Sequence, residues 1–154
     1  GCAGKVVSAF DMARLMALGA DWCNSARGFM FALGCIQAQH CHTGHCPTGV
    51  TTQDPVRQQA LVVGDKTERV FNFHQNTLKA LKELVQAAGL QHPREITAHH
   101  IVRRINDNEV RLLANLVPQV AHRALVDGDL GDQHNVFHYY WARSSADSFS
   151  LASA

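Results

Sequence analysis

Apolar residues recur at helical spacing from Ala9 to Leu18. Ser8-Ala9-Phe10-Asp11 in front of them reads as a capping box: the Ser8 hydroxyl can accept a first-turn N–H, and Asp11 can reach back. Gly19 supplies the C-terminal stop. Ala20-Asp21-Trp22-Cys23-Asn24 then reads as a short buried strand, and Ser25 as the cap of a second helix from Ala26 to about Gln37.

From Asp54 the pattern predicts helices throughout. Asp54-Pro55 is a cap followed by proline at the first helical position. Asp65-Lys66-Thr67-Glu68 opens a long helix in which Val70, Phe71, His74, Leu78, Leu81, Leu84, Val85 and Ala88 recur, ended by Gly89. Pro93-Arg94-Glu95-Ile96 reads as a turn or short helix. Further helices are expected over Thr97–Ile105 and Asn108–Val126, the second perturbed at Pro118. A polar loop over 127–132 precedes a last helix over Val136–Ser144, and the tail after Ser148 is expected to fray.

This pattern constrains the architecture. The front half holds a single clear strand, and a strand's backbone groups need partners. A loop–helix–strand–helix unit belongs to a parallel sheet built from several such units, and the others are not in this sequence. The chain therefore reads as a fragment, or as a subunit completed by another chain. It opens at Gly1 with no initiator Met, which agrees with a cut or processed end.

Composition narrows the class without changing that picture. The chain has 154 residues, 46% hydrophobic and 18% charged, with a net charge of +1, values ordinary for a globular domain. No Lys/Arg run marks a nucleic-acid or membrane surface, no apolar run spans a bilayer, and the first residues do not form a signal peptide. Neither nucleic acid nor membrane is expected as a partner. The five cysteines, at 2, 23, 35, 41 and 46, are odd in number, and three of them bunch together. That is a poor disulfide framework and suits a reducing, cytoplasmic compartment and a metal or cluster site.

The sharpest chemical signal is Cys35-Ile-Gln-Ala-Gln-His-Cys41-His-Thr-Gly-His-Cys46-Pro47. Iron–sulfur clusters draw several thiolates from a short loop, and a Cys-Pro step often closes such a run. Three thiolates match three irons better than four. Zinc competes for the same segment, because His40, His42 and His45 interleave the cysteines and Cys3His is a possible donor set. Buried cysteines without a ligand are the third reading, and spacing alone leaves all three open.

Several segments carry a family resemblance. They are Ala17-Leu18-Gly19-Ala20-Asp21, Ser25-Ala26-Arg27-Gly28, Leu33-Gly34-Cys35-Ile36, Cys41-His42 and Cys46-Pro47-Thr48-Gly49-Val50-Thr51-Thr52-Gln53-Asp54. Together they resemble the FMN-binding domain of glutamate synthases, and most closely its short, single-domain members, which lack a glutaminase domain. The resemblance is nearly gap-free from Gly4 to about Asp54. It continues more weakly through Gly89…Pro93 and His99-His100-Ile101-Val102-Arg103-Arg104.

The resemblance implies an α/β fold: the C-terminal fragment of an FMN-binding (β/α)8 barrel, followed by a mostly α-helical C-terminal region. Residues 1–53 would be the last β/α unit with the phosphate loops and the three-cysteine segment, and 54–154 a helical extension. It implies a 3Fe-4S cluster on Cys35, Cys41 and Cys46. It also implies FMN phosphate at the loops Gly4-Lys5 and Ser25-Ala26-Arg27-Gly28, where backbone N–H groups and a helix start favour an anion. The read-alone alternative for those loops is an ordinary turn and an ordinary helix cap. The implied activity is that of an oxidoreductase acting on CH–NH2 donors, forming L-glutamate from 2-oxoglutarate and ammonia by flavin hydride transfer. Its electron donor is unknown. Catalytic residues would lie on earlier strands, so none is named in this chain, and the isolated chain is expected to be inactive, to lack the rest of its barrel and to self-associate. The alternative from another class is a small helical zinc-binding or interaction module.

Other residues invite a role and are assigned none. Large glutamate synthases use an N-terminal Cys as glutaminase nucleophile, but Cys2 falls where a barrel strand ends. Cys23 reads as a small buried apolar residue. His99 and His100 are adjacent, so on a helix they diverge. Trp22, Tyr139, Tyr140 and Trp141 read as core or packing residues.

Overall fold

The computed structural model describes residues 1–118, 120–129 and 135–150. The chain divides into two compact units, Gly1–Ile101 and Val102–Ala154. The first holds α1 (Ala9–Ala17), α2 (Arg27–Leu33), α3 (Pro55–Gln58) and α4 (Val63–Ala87), then 3-10 turns at Pro93–Glu95 and Ala98–His100.

Helix α1 starts as the sequence predicts. The Ser8 hydroxyl accepts Asp11 N at 3.2 Å, and the Asp11 carboxylate accepts Ser8 N at 2.9 Å and Val7 N at 3.2 Å. These bonds, Ser8 first, hold the Asp11 carboxyl below its ordinary value of 3.8. Ala9, Ala13 and Ala17 lie four residues apart on one buried face, and α1 packs on α4, whose buried residues are Leu81 and Val85. Alanines on that face let the two helices approach closely. Val6, Ile96, Ala98 and Ile101 complete the core.

Helix α2 packs on α4 through aromatic rings: Phe29 meets Phe73 edge-on, with centroids 5.1 Å apart at 81°. Such a pair contributes about 0.5–1.5 kcal/mol beyond area burial. Gly28 is buried beneath the same ring. The helix ends at Leu33, short of the expected Gln37, because Gly34 turns left-handed at φ 106°. Its N–H and that of Cys35 then satisfy the carbonyls of Phe31 and Met30, both at 2.9 Å.

Two sequence expectations at the front are corrected. The strand over Ala20–Asn24 reduces to an isolated parallel bridge between Cys2 and Cys23. Among the described residues of this unit no further strand lies beside it, so no ladder propagates. For the same reason it is not buried: Trp22 is 59% exposed. Ser25 does not cap α2. That place falls to Ala26, and the Ser25 hydroxyl donates instead to Val6 O at 2.6 Å.

Asp54 caps α3 as expected, accepting Val56 N at 2.9 Å with Pro55 at the first helical position. Helix α4 starts at Val63, two residues before Asp65, and ends just before Gly89. Its two buried residues, Leu81 and Val85, both lie in its C-terminal half. Phe71 is 61% exposed, and with Leu33, Leu61, Val63 and Val70 it lines an open apolar groove of about 510 Å³.

From Thr97 onward the chain departs most from the helical expectation. Where Thr97–Ile105 reads as a helix, the chain forms the 3-10 turn Ala98–His100 and then strand β1 (Val102–Asn106). Where Asn108–Val126 reads as a helix, it forms β2 (Glu109–Leu112), a 3-10 turn at Leu113–Asn115 and the short α5 (Ala124–Asp127). β1 and β2 pair antiparallel, Val102 with Leu112, Arg103 with Arg111 and Arg104 with Val110. The connection Asn106-Asp107-Asn108 explains the change: the Asn106 side chain accepts Asn108 N at 3.0 Å, an Asx turn that competes with the helix. Leu113 and Ala124 are buried.

Helix α6 spans Asn135–Trp141, ending before the predicted Ser144. Its aromatics stay about half-exposed and pack on each other rather than in a core. Tyr139 and Tyr140 meet edge-on at 5.1 Å, and Arg143 stacks 4.1 Å over Tyr139. Part of the predicted polar loop, residues 130–132, and the tail residues 151–154 lie outside the described residues. No helix among the described residues is long and apolar enough to cross a membrane.

Two stability predictions follow from these contacts. Ser8→Ala removes the cap of α1 and is expected to cost about 1 kcal/mol in urea unfolding at neutral pH. Because the folded-state pKa of Asp11 is depressed, its contribution is present above its ordinary value of 3.8 and is lost as pH falls through the lower folded value. Asp11→Asn should therefore flatten the acid limb of stability against pH; an unchanged limb rejects the capping box. Second, Gly28→Ala places a Cβ 2.8 Å from Phe73 Cζ and 2.9 Å from Ser25 Oγ. Overpacking of this kind costs about 1–3 kcal/mol. Adding Phe73→Leu should recover part of that loss, and a fully stable Gly28→Ala protein would contradict the α2–α4 contact.

Candidate functional site

The two loops singled out in the sequence lie side by side. Cys2 N donates to Trp22 O at 2.9 Å, Asn24 N donates to Cys2 O at 2.7 Å, and Ser25 Oγ donates to Val6 O at 2.6 Å. These bonds align residues 2–6 with residues 22–25. Between them Gly4 and Lys5 both adopt left-handed backbone, φ 106° and 55°, and both are exposed.

On the facing segment, α2 makes its first intrahelical bond from Met30 N to Ala26 O at 3.0 Å. The amides upstream of Met30 at the helix start have no carbonyl one turn back to bond. Ala26 and Arg27 are exposed beside them. Gly28 has a different part: it sits under Phe73 and joins α2 to α4. Ser25 is likewise committed, to the Val6 carbonyl. The side chains with charge and exposure at this place are Lys5 and Arg27.

The three-cysteine segment leaves the other end of α2. Cys35 follows directly on the Gly34 turn, and Gln37 and Gln39 take left-handed backbone at φ 58° and 59°. A tight turn holds the middle of the segment: Thr43 N and Oγ1 donate to His40 O at 3.1 and 2.8 Å. Cys35, Cys41 and Cys46 line one cavity with Met30, Ile36 and Val50. Its volume is about 10 Å³, room for roughly one water, so a ligand of several atoms requires the 36–45 segment to lie farther out. Among the described residues no three His, Cys, Asp or Glu side chains converge as one metal ion requires. His40, His42 and His45 are exposed on the loop.

Cys46 is chemically distinct. Its sulfur lies 3.4 Å from Thr48 Oγ1. That hydroxyl, then the backbone amides of Thr51 and Thr48, pull its thiol down to about 6, so it is mostly thiolate at neutral pH. The Thr51 hydroxyl lines the same cavity, buried and without a hydrogen-bond partner within bonding distance. Sequence reasoning missed both threonines, although Cys46-Pro47-Thr48-Gly49-Val50-Thr51 places hydroxyls two and five positions beyond the thiol.

The loop is fastened from behind. Gly49, at φ 77°, lets the Arg57 carbonyl approach so closely that a Cβ there would clash. Arg57 also donates to His45 O at 3.4 Å and pairs with Asp54 at 3.4 Å. Gln58 Nε2 donates to Thr52 O at 3.0 Å. The capped helix α3 thereby anchors the segment that carries Cys46.

Three thiols around one cavity, with His40, His42 and His45 exposed on the same loop, are a donor set that a zinc ion or an iron–sulfur cluster could use once the loop moves outward.

Comparison with known proteins finds one family model and several relatives. The family described as "Conserved region in glutamate synthase" matches residues 1–91, well over half of the chain. The glutamate synthase large subunit-like protein YerD of Bacillus subtilis is 42% identical over 116 residues, covering 75% of this chain and 22% of that protein. The archaeal glutamate synthase (NADPH) of Archaeoglobus fulgidus is 32% identical over 88 residues, 57% of this chain and 17% of its own length. An archaeal-type glutamate synthase (NADPH) of Thermotoga maritima is 27% identical over 114 residues, 72% of this chain and 22% of its own. The chain thus spans about a fifth of the length of these relatives. No solved structure matches it. On the match over residues 1–91, this chain belongs to the glutamate synthase family.

Proposed function

We propose that this chain is the C-terminal part of the flavin-binding domain of a glutamate synthase-like oxidoreductase. The carrying observation is that the family match, residues 1–91, contains every candidate residue, while Cys35, Cys41 and Cys46 line one cavity. In this reading the parent forms L-glutamate from 2-oxoglutarate and ammonia. FMN, when bound, supplies hydride transfer, and a 3Fe-4S cluster supplies one-electron transfer. Both are read from the family resemblance and from the residues present.

The chain's own residues have separable tasks. Gly4-Lys5 and the start of α2 present backbone N–H groups and the Lys5 and Arg27 charges to a phosphate. Ser25 and Gly28 hold those loops in place, through Val6 O and Phe73. Cys35, Cys41 and Cys46 hold the cluster, and Thr48 and Thr51 donate to sulfur. Residues that bind substrate or move its protons belong to earlier barrel strands, so this chain is assigned no catalytic residue and no activity by itself. The barrel, a cytoplasmic location and an unnamed electron donor belong to the same proposal.

In the full-length parent, Cys41→Ser is expected to abolish iron and acid-labile sulfide while FMN stays bound near one equivalent. Retained iron overturns the cluster assignment, and stoichiometric zinc in the unmutated parent replaces it by the zinc-module reading. The chain alone is expected to elute from gel filtration without flavin and as a dimer or larger. The open apolar groove and the exposed Trp22 beside an unladdered bridge favour pairing with a second copy. A monomeric mass by light scattering rejects self-association, and stoichiometric co-eluting FMN rejects the division of the flavin site between this chain and the rest of the barrel.

A further inference from the structure

Two cysteines stand outside the cluster segment, and the fold brings them together. Cys2 and Cys23 are 21 positions apart in sequence and are direct partners in the isolated parallel bridge. The bonds Cys2 N to Trp22 O and Asn24 N to Cys2 O fix that register, with Cys23 opposite Cys2. Directly paired residues project their side chains from the same side of a strand pair. Neighbouring strands lie about 4.7–4.9 Å apart, inside the Cα window of about 4.4–6.8 Å that a disulfide accepts.

We propose that Cys2 and Cys23 form a reversible disulfide, a redox-modifiable clamp between the two loop segments of this chain. Both residues are half-buried rather than sealed, so a small oxidant reaches them. Burial first, and then the neighbouring Cys2, push the Cys23 thiol above the ordinary cysteine value. One rotation is required: Cys23 Sγ now makes a weak contact of 4.0 Å with Met12 O and must turn from it toward Cys2.

The chemistry balances with a peroxide as oxidant. One thiolate attacks a peroxide oxygen, the O–O bond breaks, and a sulfenic acid and one water result after protonation. The second sulfur displaces that oxygen as a second water, and the S–S bond forms. Two thiols lose two protons and two electrons, which end in two waters. A dithiol reductant reverses the step.

The consequence is local and mechanical. Cys2 lies two residues before Gly4, and Cys23 two before Ser25. At present the segments are joined by backbone hydrogen bonds at an isolated bridge with no ladder beyond it. A covalent link there limits the motion of Gly4-Lys5 against Ser25-Ala26. The bond itself does not depend on what those loops bind.

The test uses the purified chain, treated with hydrogen peroxide, alkylated under denaturing conditions and digested with trypsin. Peptide Gly1–Lys5 joined to Leu15–Arg27 is expected, lost on reduction and absent from Cys23→Ser. The triple variant Cys35→Ser/Cys41→Ser/Cys46→Ser removes competing thiols and should keep the linked pair. Amide exchange at Lys5 and Asn24 should slow on oxidation of that variant. Failure of the triple variant to yield the linked peptide overturns the proposal. So does linkage of Cys2 chiefly to Cys35, Cys41 or Cys46 in the unmutated chain, whatever the outcome of the iron and flavin measurements.

Discussion

The contact of α2 with α4 is the constraint on which the rest of the first unit depends. Helix α2 is short, and each of its ends carries a candidate site: Ser25 to Gly28 at the start, Gly34-Cys35 at the finish. A helix of this length has little stability of its own. It is held because Gly28 has no side chain and lets the Phe73 ring close over it, with Phe29 meeting the same ring edge-on. Thr77 Oγ1 turns back to Phe73 O at 2.7 Å one turn along α4. The two candidate loops are thus spaced by one short helix, whose seat on α4 is set by Gly28, Phe29 and Phe73.

Local capping chemistry was legible in the sequence because it is settled within four residues. Ser8 with Asp11, and Asp54 with Pro55, do what their side chains allow whatever surrounds them. Ser25 shows the limit of that reading: its hydroxyl is turned to donate to Val6 O, brought from a distant segment, and Ala26 holds the cap position. The strand at Ala20–Asn24 failed for a related reason. Strand propensity needs partners, and among the described residues only Cys2 pairs there. The helices expected over Thr97–Ile105 and Asn108–Val126 give way to 3-10 turns, the β1–β2 hairpin and the short α5. Asn106-Asp107-Asn108, a turn-forming run flanked by Ile105 and Val110, is the hairpin signal in that stretch.

For the candidate site, the cysteines and the two loops were legible, and their supports were not. Thiols at Cys35, Cys41 and Cys46 announce themselves by type and spacing. That Thr48 and Thr51 tune Cys46, that Arg57 braces the loop through the His45 carbonyl, and that Gly28 serves packing, all depend on tertiary approach. Glycine in Ser25-Ala26-Arg27-Gly28 can mean an open anion loop or a close contact, and only the position of Phe73 decides between them.

The same fold drives its cysteines in opposite directions, and this separates two kinds of chemistry. At Cys46, hydroxyl and amide donors favour the charged sulfur, lowering the thiol to about 6. At Cys23, burial and a neighbouring sulfur disfavour charge, raising it. A metal or cluster recruits sulfur as thiolate, the form that a lowered thiol such as Cys46 favours. A thiol held protonated beside a second cysteine gains little from a metal but can still be trapped by an oxidant through its partner. The thiols of Cys35, Cys41 and Cys46 gather around one cavity past the end of α2, while Cys2 and Cys23 form a separate pair across the bridge before its start.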